Sequence, residues 1–282
     1  MKNRQWYGWL FILPSLLGVS IFYVIPFFLS LYYSFTRGVA EIKFVWLDNF
    51  IDLLQNPTFL LAAKNTLFFM LVSVPLLTLG ALFLSLMMQE KLYSFSRWAI
   101  LSPVIVPVAS ALMGWEAIFG GEGVVNTVIR LAGGGTINFF EGNARGMLIF
   151  IFLIKNLGYM LVIFTSSIAS LSKEYREAFL LDSSSELKYA FKVVIPLMMP
   201  MIFFVIILSV MNSFQIFREA YGLYGHYPPN SIYMLQHFMN NNFFKLNYQR
   251  LSTAALILVL SISVMISMFL RYQNKRLNTR ND

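Results

Sequence analysis

Six long apolar runs set the strongest limit on what this 282-residue chain can fold into. A helix needs about 20 mostly apolar residues to cross the hydrocarbon core of a bilayer, and each run reaches or approaches that length. Only 12% of the residues are charged, which is far below the share of about a quarter in soluble domains. The pattern predicts an all-α, polytopic bundle with six membrane spans, over residues 7–33, 66–88, 98–119, 147–171, 195–217 and 253–272.

The first apolar run follows a short basic start with Lys2 and Arg4, a feature that secretory signal peptides share. The apolar core of a signal peptide is only about 7–15 residues long, and it is followed by small residues at a cleavage site. The run here is longer and lacks such a site. We therefore expect it to remain in the protein as the first membrane span.

Lysine and arginine predict the orientation of the spans. If the N-terminus is cytoplasmic, the inner segments 1–6, 89–97, 172–193 and 271–282 hold twelve basic residues. The outer segments 36–65, 121–146 and 217–252 hold eight, although they cover far more residues. Because basic residues concentrate in short cytoplasmic segments, we expect both termini in the cytoplasm. This distribution also accounts for the net charge of +8, so we expect no nucleic-acid partner.

The composition argues against several kinds of chemistry. Cysteine is absent and histidine occurs only twice, so thiolate and histidine-based metal sites are not expected. The sequence contains no phosphate-binding Gly-x-x-x-x-Gly-Lys-Ser/Thr pattern and no plausible catalytic pair. We therefore expect no catalytic residues, no metal site and no cofactor bound by this chain.

Residues 172–192, called the charged loop below, separate the fourth and fifth apolar runs. Ser172 can cap a helix over residues 173–181, and Ser183 with Glu186 has the spacing of a capping box for a second helix. A merely solvated loop is the alternative, but it would not need two capped helices. The pattern predicts two short helices at an angle that meet a partner protein. The residues expected to point outward are Glu174, Arg176, Glu177 and Asp182.

The charged loop resembles the Glu-Ala-Ala loop of permease subunits of binding-protein-dependent ABC importers. Glu177-Ala178, Asp182 and the Ile195-Pro196 ending stand where that family has Glu-Ala-Ala, Asp-Gly and Leu-Pro. The chain differs from the pattern at Phe179, where the family has a second Ala, and at Ser183, where it has Gly. Looser similarities in residues 9–35, 44–50, 157–171 and 252–255 indicate the maltose-like first subunit of a sugar-type pair.

The resemblance implies a type I importer transmembrane domain over residues 66–272. Residues 1–65 would form a cytoplasmic tail, the first span and an outer loop, and residues 273–282 a basic tail. The implied partners are a second permease subunit, two ATPase subunits that bind ATP and Mg, and an extracellular lipoprotein that delivers sugar, all at a prokaryotic plasma membrane. The residues implied to couple the chain to the ATPases are Glu174, Glu177, Ala178, Asp182 and Ser183.

Polar residues inside the predicted spans are the candidates for the substrate path. They are Lys155, Asn156 and Tyr159 in the fourth span, and Asn212 and Gln215 in the fifth. Ionisable groups at membrane depth are costly and tend to face a path or a partner. For the amides, hydrogen bonding between helices is an equally good interpretation. For Lys155, the alternative is a salt bridge with a neighbouring subunit, whereas a lysine in the path would suit an acidic sugar.

Two other functions stay open. An ABC permease could carry another solute, such as a polyamine or phosphate. A secondary transporter driven by an ion gradient would have internal repeats and acidic residues within its spans. Here the predicted spans contain no Asp, and Glu116 lies near the end of one, so this alternative fits less well.

Overall fold

Five of the predicted spans are present in the computed structural model, which describes residues 4–38, 41–87, 106–182 and 184–278. Helices that are long and apolar enough to cross a membrane run over Trp9–Ser34, Pro57–Met87, Ala144–Ala169, Glu186–Tyr224 and Tyr248–Arg271. The third predicted span, residues 98–119, lies partly outside the described residues. Its described part contains the helix Val108–Phe119.

The described elements follow one another as helices with one small hairpin. The helices are α1 Arg4–Val19, α2 Ile25–Ser34, α3 Asp48–Leu54, α4 Pro57–Met87, α5 Val108–Phe119, α6 Val124–Leu131, α7 Phe139–Gly142, α8 Ala144–Ala169, α9 Lys173–Asp182, α10 Glu186–Tyr189, α11 Ile195–Gln215, α12 Phe217–Tyr224, α13 Leu235–Phe244 and α14 Tyr248–Asn278. A 3₁₀ turn covers Asn230–Ile232. Strands β1 Thr36–Arg37 and β2 Lys43–Phe44 pair antiparallel.

Two five-residue π-helical segments, Ser20–Val24 and Ala190–Val194, each lead into an Ile-Pro pair. Proline has no N–H, and its ring crowds the carbonyl four residues earlier, so regular α-helical bonding is interrupted there. The N–H of Ile195 instead donates to the carbonyl of Ala190, five residues back. A π turn takes up one extra residue, and the chain therefore passes each proline without ending the helix.

The described residues form two compact units. The first combines the chain up to Leu60 with Phe238–Met265, and the second combines Leu61–His237 with the residues from Ile266 onward. The predicted domain boundary between residues 65 and 66 falls inside the helix Pro57–Met87, which continues through it.

In the first unit, a polar cluster joins the hairpin to α3. The guanidinium of Arg37 donates to Asn49 Oδ1 from Nε (3.2 Å) and Nη2 (3.0 Å), and it forms an ion pair with Asp52. Asn49 Nδ2 in turn donates to the carbonyls of Ser34 (3.0 Å) and Thr36 (2.9 Å). The segment after the first span is therefore ordered by its own side chains.

In the second unit, the core lies where α4, α8 and α11 meet. Phe69 of α4 and Phe152 of α8 pack edge to face, with ring centroids 5.4 Å apart. Met198 and Val205 of α11 are buried in the same cluster. Apolar side chains thus fill the space between three of the candidate spans, as a helix bundle requires.

Segments that look like polar loops in the sequence carry helices and fixed turns instead. Asn65 Nδ2 donates to the carbonyls of Asn230 (2.6 Å) and Tyr233 (3.0 Å), which holds the 3₁₀ turn against α4. Asn65 Oδ1 accepts from Arg145 Nη2 at 3.2 Å, and Arg145 Nε donates to the carbonyl of Ser231 at 3.0 Å.

His237 organises the start of α13. Its Nδ1 accepts a hydrogen bond from the N–H of Met234 at 3.2 Å, which is the part that the third helical residue plays in a capping box. The ring is fully buried and lies edge to face against Phe217, with centroids 4.9 Å apart. Burial lowers the pKa of His237 to about 4, so the imidazole is neutral near pH 7.

Candidate functional site

A cleft of about 290 Å³ lies between α5, α8 and α12 of the second unit. Within the described part of the chain, Lys155 and Glu219 are the only charged residues that line it. The remaining walls are small or apolar side chains, except for the hydroxyl of Ser110. They come from Val106, Val108, Ser110, Ala111, Gly114, Trp115, Ile118, Ile151 and Ile154.

Lys155 and Glu219 form an ion pair across this cleft, between Nζ and Oε1. The side chain of Lys155 is 25% exposed and that of Glu219 only 2%. Charges removed from water lose their hydration, so each needs the other to remain ionised at low cost. The second carboxylate oxygen of Glu219, Oε2, is buried and has no hydrogen-bond partner among the described residues. Glu219, which lines the cleft, therefore has one unused acceptor atom in addition to the oxygen that contacts the ammonium group.

The ion pair gives Lys155 a partner within its own chain, and a salt bridge with a neighbouring subunit stays a prediction. The sequence pattern places Glu219 in an outer segment, whereas the structure places it on α12, within the candidate span Glu186–Tyr224. A feature that could have identified it is the apolar spacing of Ile216, Ala220 and Leu223. This spacing continues the helical pattern beyond residue 217.

The two other path candidates on α8 differ in what they contact. Asn156 Nδ2 donates to the carbonyl of Phe152 in its own helix at 2.8 Å. Tyr159 is 41% exposed and lies one turn after Lys155. The residues lining the cleft include neither Asn156 nor Tyr159.

The two candidates on α11 form a row of polar groups with Arg218. Gln215 Nε2 donates to Asn212 Oδ1 at 3.4 Å, and Arg218 Nη2 donates to Gln215 Oε1 at 2.6 Å. Gln215 is exposed within this chain, and Asn212 is half-buried. The structure thus brings Lys155 to Glu219, and it groups Asn212 with Gln215 in a separate row outside the cleft lining.

The charged loop contains the first predicted helix, with bounds Lys173–Asp182. Ser172 Oγ accepts from the N–H of Glu174 at 3.3 Å, which confirms the predicted cap. Glu174, Glu177 and Ala178 are exposed, as a surface for a partner requires. Residue 183 and the side chain of residue 182 lie outside the described part of the chain, so the predictions for Ser183 and Asp182 stay predictions.

The remainder of the charged loop differs from the prediction in two respects. The second helix is capped by Ser185, whose Oγ accepts from the N–H of Lys188 at 3.4 Å, so its first residue is Glu186. Arg176 does not point freely outward, because its Nη2 pairs with Glu186 Oε1 at 2.9 Å. This pair joins the two helices across the turn.

Comparisons with known proteins agree with this architecture. A family model described as "Binding-protein-dependent transport system inner membrane component" matches residues 15–279. The chain is 27% identical over 287 residues to the probable ABC transporter permease protein YesP of Bacillus subtilis, covering 95% of this chain and 93% of YesP. It is 26% identical over 285 residues to AmyD of Thermoanaerobacterium thermosulfurigenes, a probable starch degradation products transport system permease protein, covering 98% of this chain and 96% of AmyD.

A solved structure gives the same fold. The bacterial alginate ABC transporter in complex with alginate pentasaccharide-bound periplasmic protein contains a chain that matches with a TM-score of 0.81. The match covers 98% of this chain and 96% of the other at 18% identity, so it supports the fold alone. The prediction of a type I importer transmembrane domain is confirmed. Because the family model matches residues 15–279, the chain belongs to the binding-protein-dependent transport system inner membrane component family.

Proposed function

We propose that this chain is a permease subunit of an ABC importer that takes up sugars or oligosaccharides. Family membership confirms the prediction of a multi-pass membrane transport subunit and not an enzyme. Among the relatives, LacF of Rhizobium radiobacter is a lactose transport system permease protein, 27% identical over 92% of this chain and 91% of LacF. The transport of lactose by LacF and of starch degradation products by AmyD supports a carbohydrate as the solute.

One observation carries the proposal: the charged loop continues into the helix that leads to the cleft. Helix α10, the π segment and α11 follow one another without a break, and α12 with Glu219 comes directly after. Helix α9, which carries the exposed Glu177, contacts α10 through Phe179. The ring centroid of Phe179 lies 5.5 Å from that of Tyr189. A partner that moves α9 therefore has a mechanical connection to the cleft.

The proposed partners follow from this arrangement. Two ATPase subunits would bind ATP and Mg and would receive the charged loop, through Glu174, Glu177, Ala178, Asp182 and Ser183. A second permease subunit would complete the path. On this chain, the surface of the path would include Asn156, Tyr159, Asn212 and Gln215. The described residues bury none of the most apolar stretch of the first span, so lipid or the second permease would cover it. An external lipoprotein would deliver the sugar, and both termini would be cytoplasmic.

The cleft favours a sugar over the other ABC solutes considered. Phosphate would need an excess of positive groups, and a polyamine would need an excess of carboxylates. Here one ammonium and one carboxylate cancel, and the remaining walls are largely apolar. A neutral, hydroxyl-rich solute matches this balance best.

Reversal of the charge at Glu177 tests the proposal. Glu177→Lys should leave the protein inserted in the membrane while abolishing sugar uptake and weakening retention of the ATPase subunits during purification. Glu41→Lys is the matched control, because Glu41 is also an exposed glutamate but lies in a predicted outer segment. Normal uptake by reconstituted Glu177→Lys, or an equal loss in Glu41→Lys, would contradict the proposed coupling.

A further inference from the structure

We infer that Glu219 makes the cleft selective for uncharged sugars, by neutralising Lys155 and by accepting a hydrogen bond from a sugar hydroxyl. This inference rests on the proposed function and names the substrate class of the same cleft. A lone lysine in a poorly hydrated path would attract carboxylates, so a lysine in that position would suit an acidic sugar. The structure removes this argument, because Glu219 contacts the ammonium group.

The charges that line the cleft are balanced. Among the described residues that line it, Lys155 and Glu219 carry the only charges, and they sum to zero. Glu116 lies on the same helix as Trp115 but does not line the cleft. A sugar with a carboxylate would bring a net negative charge beside Glu219. Its carboxylate would also lose its hydration on entering the cleft, and both effects cost free energy.

Both members of the ion pair have unused hydrogen-bonding capacity. Lys155 has three N–H donors, of which the ion pair uses one. Glu219 Oε2 is a buried acceptor without a partner in the part of the chain that the structure describes. A hydroxyl group can donate to Oε2 and accept from Nζ at once, whereas a carboxylate can only accept. The pair is therefore complementary to a sugar hydroxyl.

The walls of the cleft are suited to the apolar face of a sugar ring. Trp115 presents an indole ring there, and Ile118, Ile151 and Ile154 provide an apolar surface. Ligand sites are typically apolar surfaces with a few convergent polar groups that orient the ligand. The C–H face of a sugar ring can lie on such a wall while one of its hydroxyls reaches the ion pair.

Two single substitutions separate selectivity from a structural role. The probes are methyl glucoside and methyl glucuronoside, which differ by a carboxylate, and binding to the complete importer in nanodiscs is measured by saturation-transfer NMR. Wild-type protein should prefer the neutral sugar. Glu219→Gln leaves Lys155 unpaired, and the ratio of the two dissociation constants should shift about tenfold towards the glucuronoside, a fold-change that corresponds to about 1.4 kcal/mol.

Lys155→Gln provides the reciprocal change. It leaves Glu219 as a lone carboxylate, so the same ratio should move in the opposite direction, against the glucuronoside. The double variant Lys155→Gln with Glu219→Gln should return to the wild-type ratio, and Glu122→Gln, in an exposed ion pair with Arg130, should not change it. A pair that only holds the helices together would affect both sugars equally in every variant.

The outcomes are distinct from those of the proposed function. Equal ratios in wild type, Glu219→Gln and Lys155→Gln would overturn the inference even if Glu177→Lys abolishes uptake. Binding of neither probe by wild type would overturn it as well, and uptake that is insensitive to Glu177→Lys would count against the importer itself. If the Glu219→Gln protein fails to assemble, the ratio of dissociation constants measured for Lys155→Gln, which keeps the buried carboxylate, decides the question.

Discussion

Among the described residues, an ion pair occurs both in the cleft and in the charged loop, and the two pairs differ in their contact with water. Lys155 and Glu219 are 25% and 2% exposed, whereas Arg176 and Glu186 are 44% and 63% exposed. Water screens the exposed pair, so it contributes at most about 0–1 kcal/mol to stability. The buried pair has no such screening, and each of its members depends on the other. The same pairing of charges therefore makes two residues of the cleft depend on each other, whereas in the charged loop it only adjusts a surface turn.

Among the substitutions that test this comparison, removal of Glu219 should have the largest effect on stability. Glu219→Leu leaves the Lys155 ammonium without its partner in the cleft, and the free energy of unfolding should fall by about 3–5 kcal/mol. Lys155→Met combined with Glu219→Leu removes both charges, and this protein should be about as stable as wild type. Unfolding of the purified protein by SDS measures both changes. Equal losses in the single and the double variant would show that the charges are independent.

His237 sharpens the comparison, because it is a buried titratable group that forms no ion pair with any residue the structure describes. Its pKa in the folded protein is about 4, below the ordinary value of 6.5. Protonation therefore favours the unfolded state. Stability should be complete above about pH 6.5 and should decrease as pH falls towards 4, by up to about 3 kcal/mol.

Thermal unfolding in detergent between pH 7.5 and pH 4.5 measures this dependence. His237→Gln is the matched control, because a Gln side chain can accept from the N–H of Met234 and does not titrate. Its unfolding temperature should depend less on pH than that of wild type. Identical pH profiles for the two proteins would mean that other groups cause the acid sensitivity.

The smallest effect is expected in the charged loop. Glu186→Gln removes the ion pair between Glu186 and Arg176, but this pair is exposed, so the free energy of unfolding should change by less than about 1 kcal/mol. The same SDS unfolding measurement applies. A loss as large as that of Glu219→Leu would remove the distinction between the two regions.

Features encoded by neighbouring residues could be predicted from the sequence. The apolar runs predicted five spans that the structure contains, and Ser172 with the residues after it predicted the helix Lys173–Asp182 to within a residue of its end. Both depend on residues close together in the chain, where composition and spacing are sufficient.

Features that depend on distant residues could not be predicted in the same way. Lys155 and Glu219 are separated by 64 positions, and no local pattern joins them. Hydropathy also treats an arginine and a glutamate after Phe217 as the end of a span. In the folded chain, Lys155 compensates the buried charge of Glu219, so the helix continues where the sequence suggests a loop.

The π-helical segment Ala190–Val194 sets the rotational phase between the two regions compared above. An α-helix turns by about 100° per residue, and a π turn takes up one additional residue. The faces of α11, which leads to the helix with Glu219, are therefore offset by about that angle from their positions on an uninterrupted α-helix starting at Glu186. Pro196 maintains this offset by preventing regular bonding at that point. Pro196, which is not among the residues that line the cleft, thus contributes to the angle at which the chain reaches Glu219.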